Sequence, residues 1–103
     1  MLANTHPLQI DYRAPAALRA NRHNARTHSK RQIAQIASSI VQFGFTNPLL
    51  VDDEGQLIAG HGRLKAAQQL GLQSVPTIEL KGLSDTQKRA LLLADNKIAL
   101  NAG

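Results

Sequence analysis

Leu57-Ile-Ala-Gly-His-Gly-Arg-Leu-Lys-Ala-Ala67 passes from a short apolar strand through a glycine-flanked turn straight into an amphipathic helix. Gly60 and Gly62 can take backbone conformations closed to other residues. The first turn of the helix that follows leaves amide N–H groups without internal partners, and the helix dipole favours an anion in front of them. Arg63 adds a fork of donors suited to phosphate. Taken alone, a strand, a GxGR turn and a helix are equally the signature of a purely structural turn, so the surrounding chain has to decide.

Upstream, Asn47-Pro-Leu-Leu-Val51 reads as a strand, Asp52-Asp-Glu-Gly55 as a turn and Gln56 to Ala59 as the returning strand of a β-hairpin. Before the hairpin, Ile33, Ile36, Ala37 and Ile40 recur at helical spacing, with Phe43 closing the apolar face and Gly44 as C-cap. Leu8-Gln-Ile-Asp-Tyr12 alternates apolar and polar residues and reads as an edge strand, followed by a basic loop over residues 13–29. Downstream, Leu64, Ala67 and Leu70 form the buried stripe of the GHGR helix, which Gly71 ends. Val75-Pro-Thr-Ile-Glu-Leu80 is a further strand that Pro76 confines to an edge or to the strand's first residues. Ser84 and Gln87 have the spacing of a capping box ahead of Ala90-Leu-Leu-Leu-Ala94. Asp95-Asn-Lys97 then interrupts the apolar pattern, as a solvated kink, a helix junction or a group facing a cleft. Asn101-Ala-Gly103 reads as a linker or truncation.

The 103 residues make one domain, residues 1–103, large enough to bury a core without staples. Without cysteine there is no disulfide framework and no thiolate chemistry, and a reducing cytoplasm is the expected setting. No apolar run approaches the ~20 residues of a membrane span, and the start lacks the pattern of a secretory signal. Twelve Lys and Arg against seven Asp and Glu leave a net charge of +5, which points to polyanionic partners. Arg13, Arg19, Arg22, Arg26, Lys30 and Arg31 fall in the first half, where Asp11 is the only acid before Asp52. Such a run is either a solvated face or a cover for bound phosphate. With Tyr12, Phe43 and Phe45 the only aromatics, stacking on single strands is disfavoured against backbone or nucleotide-phosphate contact.

The ordered set Gly44-Phe-Thr-Asn-Pro-Leu-Leu-Val51, Leu57 to Ala67, Gly71-Leu-Gln-Ser-Val-Pro76 and Leu93-Ala-Asp-Asn96 resembles the N-terminal domain of the ParB family, whose fold is shared with sulfiredoxin. The likeness spans Ile10 to Leu100 and looks most like the ParB-like domain placed ahead of phage-type DNA modification methyltransferases. It implies a single α+β domain, a small mixed sheet packed with about three to four helices. It also implies a nucleoid-associated role in the bacterial cytoplasm, CTP or ATP bound with Mg2+, and DNA as partner. A homodimer and a fused or downstream methyltransferase domain are further implied partners, and no membrane is.

By that resemblance Gly60, His61, Gly62 and Arg63 contact phosphate, Arg26 closes the site from the loop, and Thr46, Asn47, Asn96 and Lys97 line it. Asp95 and Asn96 match a pair that contacts Mg2+, while Arg19, Arg22, Lys30 and Arg31 are candidates for the DNA backbone. The chain departs from the partition proteins, whose turn reads Gly-Glu-Arg-Arg: His61 stands at the glutamate and Gly62 at the first arginine. A lost guanidinium removes contacts worth about 1.5–3 kcal/mol each. The Gln-Arg that follows in the family is here Ile98-Ala99.

Sulfiredoxin chemistry needs a cysteine in this turn and is excluded. His61 at the positive end of a helix has its cationic form disfavoured, so a neutral imidazole would exchange a proton with phosphate or water, or simply hydrogen-bond backbone. With Asp95 it forms the candidate catalytic pair of an alternative reading, a ParB-like nuclease or a nucleotide hydrolase. His6, His23 and His28 lack metal-site spacing, and no zinc is expected. No helix carries the side chains needed for base-specific reading.

Overall fold

The computed structural model describes residues 7–20 and 28–102, with side chains as far as Asp95. Four strands make one mixed sheet: β1 (Ile10–Arg13), β2 (Leu49–Val51), β3 (Leu57–Ala59) and β4 (Val75–Glu79). They lie in the order β1-β4-β2-β3, so β1 and β3 are the edges. The Asp52–Gly55 turn folds β3 back antiparallel on β2, as the sequence predicts, with an irregularity in register between Leu50 and Val51. β4 then pairs parallel with β2 and antiparallel with β1.

Pro76 therefore sits in an interior strand, at its second residue. On the β2 side the register begins at Leu49 opposite Thr77, so the proline lies just outside the ladder it cannot donate to. Side-chain alternation puts Leu49, Val51, Val75 and Thr77 on one face. All four are fully buried, and Leu18, Leu57, Leu64 and Ala67 are buried with them. Opposite, Ile10 and Tyr12 on edge strand β1 are exposed.

Among the described residues three α-helices and one 3-10 turn (Pro15–Ala17) accompany the sheet. α1 (Lys30–Phe43) starts at a capping box in which the Gln32 amide donates to Ser29 Oγ at 3.1 Å and the Ser29 amide to Gln32 Oε1 at 2.9 Å. Gly44 ends it with φ 86°. Of the predicted apolar stripe only Ile33 is buried, Ile36, Ala37 and Ile40 are half-buried, and Phe43 is 68% exposed rather than closing the face. The reason is length: α1 packs chiefly on α2 (His61–Leu70), which offers ten residues against its fourteen.

α3 (Asp85–Ala102) starts at the predicted capping box of Ser84 and Gln87. It runs unbroken through Asp95-Asn-Lys97 and through Asn101 and Ala102, where the sequence pattern suggests a break and a linker. The modest helix propensity of Asp and Asn, ~0.6 kcal/mol below alanine, does not outweigh continuation of an established helix. α3 is also clamped at two points to the rest of the domain, by Lys88 Nζ to Asp52 Oδ2 at 3.0 Å and by Asp95 Oδ1 to Arg63 Nη1 at 3.2 Å.

Candidate functional site

Gly60 takes the left-handed conformation, φ 104° and ψ 26°, at the junction of β3 and α2. A β-carbon there would also meet Leu49 Cδ2 and Arg63 Nη2, so both backbone and packing require glycine. The first backbone bond of α2 runs from the Leu64 amide to the Gly60 carbonyl at 2.9 Å. The amides of His61, Gly62 and Arg63 come before it, with no acidic residue in the first turn and no side-chain cap. The strand, glycine turn and helix start read from the sequence are present, with Gly60, His61 and Gly62 buried.

Arg63 folds back over this start. Its Nη1 donates to Asp95 Oδ1 at 3.2 Å and its Nη2 to the Pro48 carbonyl at a long 3.4 Å, while Nε is buried with no partner among the described residues. His61 is 5% exposed, and neither ring nitrogen has a hydrogen-bond partner among the described residues. Burial lowers its pKa to about 4, helped by His28 and Arg63 and opposed by Asp95. It is therefore a neutral imidazole at physiological pH. His28, half-buried at the entry to α1, also titrates below the ordinary histidine range, through burial and the Arg63 charge against the pull of Asp95.

The structure thus brings Gly60, His61, Gly62, Arg63 and Asp95 together, and adds His28 and the Pro48 carbonyl, which the sequence reading leaves out. Thr46 and Asn47 are exposed in the loop just before Pro48. Lys30 and Arg31 are exposed in the first turn of α1, next in the chain to His28 and Ser29. Arg19 is elsewhere. Its backbone bridges to Gln56 at the far end of β3 and its Nη2 donates to the Glu54 carbonyl at 2.7 Å. Arg22 and Arg26 lie outside the described residues, and Asn96 and Lys97 are described only as helical backbone.

For Mg2+, Asp95 is spoken for by Arg63, and among the described residues no group of three or more His, Cys, Asp or Glu is placed to hold a metal ion. No helix among them is long and apolar enough to cross a membrane. His28 carries little advance signal: it stands 33 positions from His61, and only the packing of α1 on α2 joins them.

The family model of the ParB N-terminal domain matches residues 4–97. The ParB-like nuclease domain-containing protein YnaK of Escherichia coli K12 is 55% identical over 82 residues, covering 80% of this chain and 94% of that protein. The nucleoid occlusion protein of Bacillus thuringiensis is 36% identical over 81 residues, 74% of this chain but 28% of that protein. Among solved structures, the C-terminally truncated chromosome-partitioning protein ParB of Caulobacter crescentus, complexed with CTP-gamma-S, superposes with a TM-score of 0.72 at 25% identity, over 92% of this chain and 54% of that one. Sulfiredoxin from Arabidopsis thaliana shares the fold, with a TM-score of 0.67 at 24% identity over 81% of this chain and 97% of that one. A glycine-bent helix start, an arginine laid across it, the mixed four-stranded sheet and these likenesses converge, and the chain belongs to the ParB N-terminal domain family.

Proposed function

We propose that the start of α2 binds the phosphates of a nucleoside triphosphate, CTP or ATP, and that the domain acts as a nucleotide-responsive module of DNA-associated machinery. The observation that carries this is the unsatisfied cluster: neither ring nitrogen of buried His61 nor the Nε of Arg63 has a partner among the described residues, at the N-terminus of a helix without a side-chain cap. Such groups cost about 1–3 kcal/mol each when left unpaired, and an anion at this point would accept from the one N–H of the neutral His61 ring and from Arg63 Nε. The likeness to a ParB in complex with CTP-gamma-S supports the same ligand class. In this reading Mg2+ travels with the phosphates, which supply much of its usual coordination. Exposed Lys30 and Arg31 supply DNA-backbone contacts, and pairing into a homodimer, a methyltransferase partner and a nucleoid location belong to the same reading.

Scanning fluorimetry with CTP, ATP, GTP and a short DNA duplex, each with and without magnesium, tests it. A ligand at 100 times its Kd adds about 2.7 kcal/mol to stability, a plain upward shift in Tm. No shift with any of them at millimolar concentration sinks the reading.

A second reading, nuclease activity, is favoured by the name of the 55% identical YnaK and by a neutral, proton-accepting His61 close to Asp95. It requires plasmid nicking that disappears in His61→Ala and Asp95→Ala; nicking that survives both removes these residues from the chemistry.

A further inference from the structure

The turn that enters α1 lays the His28 ring against the one residue of the α2 start that has no side chain. A β-carbon on Gly62 would lie 2.8 Å from Cδ2 and 2.9 Å from Nε2 of His28, and 3.0 Å from Cδ1 of Ile36. Gly62 has no positive φ, so what disfavours a side chain here is the close approach of the imidazole and of Ile36, which would have to shift, and not the backbone. The ring consequently lies against Gly62 in the first turn of α2, next to His61 and Arg63 and ahead of Leu64, whose amide is the first of α2 to bond back to Gly60. Around it stand the nitrogens of buried His61 and the Nε of Arg63, without partners among the described residues, and the Asp95 carboxylate that Arg63 holds.

We infer that His28 is a phosphate-contacting residue of this site: its imidazole, seated against Gly62, is a further side-chain donor, beside Arg63 and His61, for an anion at the start of α2. The inference rests on the phosphate reading above and adds a residue to it. An imidazole differs from a guanidinium in one testable way. Without ligand, burial and Arg63 favour the neutral ring against the pull of Asp95, and His61 is neutral too. A multiply charged phosphate placed against His28 reverses the balance, so one proton passes from solvent to the ring as the ligand binds. Lys30 and Arg31 are the exposed cations on the adjoining turn of α1.

The test is calorimetric titration of the full chain with CTP and magnesium at pH 6 and pH 8, alongside melting curves, for the wild type, His28→Ala, His28→Gln and Gly62→Ala. The wild type is expected to bind about tenfold more tightly at pH 6. His28→Ala should weaken binding by about tenfold or more at pH 6, the scale of a charge-assisted hydrogen bond. His28→Gln keeps a donor and should recover part of the affinity but none of the pH dependence. Gly62→Ala keeps His28 and displaces its ring, so it should bind as His28→Ala does. If the wild type and both His28 variants bind alike, the inference is overturned and the phosphate reading stands. A loss of affinity without pH dependence marks a merely structural role and overturns it too. If the wild type binds nothing at either pH, both fall together.

Discussion

The turn before β3 and the turn after it each bury a polar side chain, and the domain treats the two in opposite ways. Asp52, 5% exposed, accepts from the amides of Glu54 and Gln56, both at 2.9 Å, and from Lys88 Nζ at 3.0 Å. Every demand of that carboxylate is met from within the chain. His61, equally buried, has no hydrogen bond to either ring nitrogen among the described residues. The first turn is finished when the chain folds. The second is left waiting, and buried polar groups left waiting are found where something else is meant to bind. The same opposition appears in glycine use, since Gly55 closes the hairpin whereas Gly60 and Gly62 clear room for Leu49, Arg63 and His28.

The largest expected contrast is in acid. The pKa of His61 falls from 6.5 in the unfolded chain to about 4 when folded, so the unfolded state takes up the proton first. Stability should fall as the pH drops from about 6.5 to about 4, by about 3 kcal/mol in all, and level off below that. Urea unfolding between pH 7 and pH 4 measures it, and His61→Leu should flatten the slope. A slope unchanged in His61→Leu would place the titrating group elsewhere.

Asp52→Ala should come next, destabilising by about 2 kcal/mol through two stranded amides and an unpaired Lys88, while leaving CTP affinity within about twofold. In the wild type, burial pushes the Asp52 carboxyl up, but the Gln56 amide, Lys88 and the Glu54 amide outweigh it and hold the pKa below the ordinary value. This contribution is therefore complete above pH 4 and is lost only as pH falls through the depressed folded pKa, below the His61 window. A fall in nucleotide affinity as large as that in an α2-turn variant would mean the two ends of β3 are coupled rather than separate.

The smallest effect belongs to an element neutral to both turns. Ser84→Ala removes the acceptor of the Gln87 amide at the start of α3 and should cost about 1 kcal/mol in chemical denaturation. A larger loss would show that α3, through Lys88 and Asp95, holds both turns in place.

Local rules carried much of this molecule. The Asp52–Gly55 hairpin, the Ser84–Gln87 capping box and the αL glycine before α2 are each written and legible within a few residues, because each is decided by backbone stereochemistry or by i to i+3 hydrogen bonds; the Ser29–Gln32 box is equally local, though the sequence reading leaves it out. Where the reading from sequence went astray, the deciding partner was distant. Phe43 satisfies helical periodicity, but periodicity cannot say that α2 is shorter than α1. Asp95-Asn-Lys97 reads as a break because polar residues interrupt an apolar stripe, but Asp95 has a cation waiting at Arg63, 32 positions away. Pro76 permitted either an edge or a strand start, and only the register of β2 chose the second.

The sequence by itself determined the strand, glycine turn and helix that make an electropositive N-terminus, because φ, ψ and unpaired amides are local properties. Tertiary packing alone decided what stands around that N-terminus. It laid His28 against Gly62, tied Arg63 to Asp95 and to the Pro48 carbonyl, and buried His61 with no hydrogen-bond partner among the described residues, since burial and charge proximity exist only once α1, α2 and α3 have met.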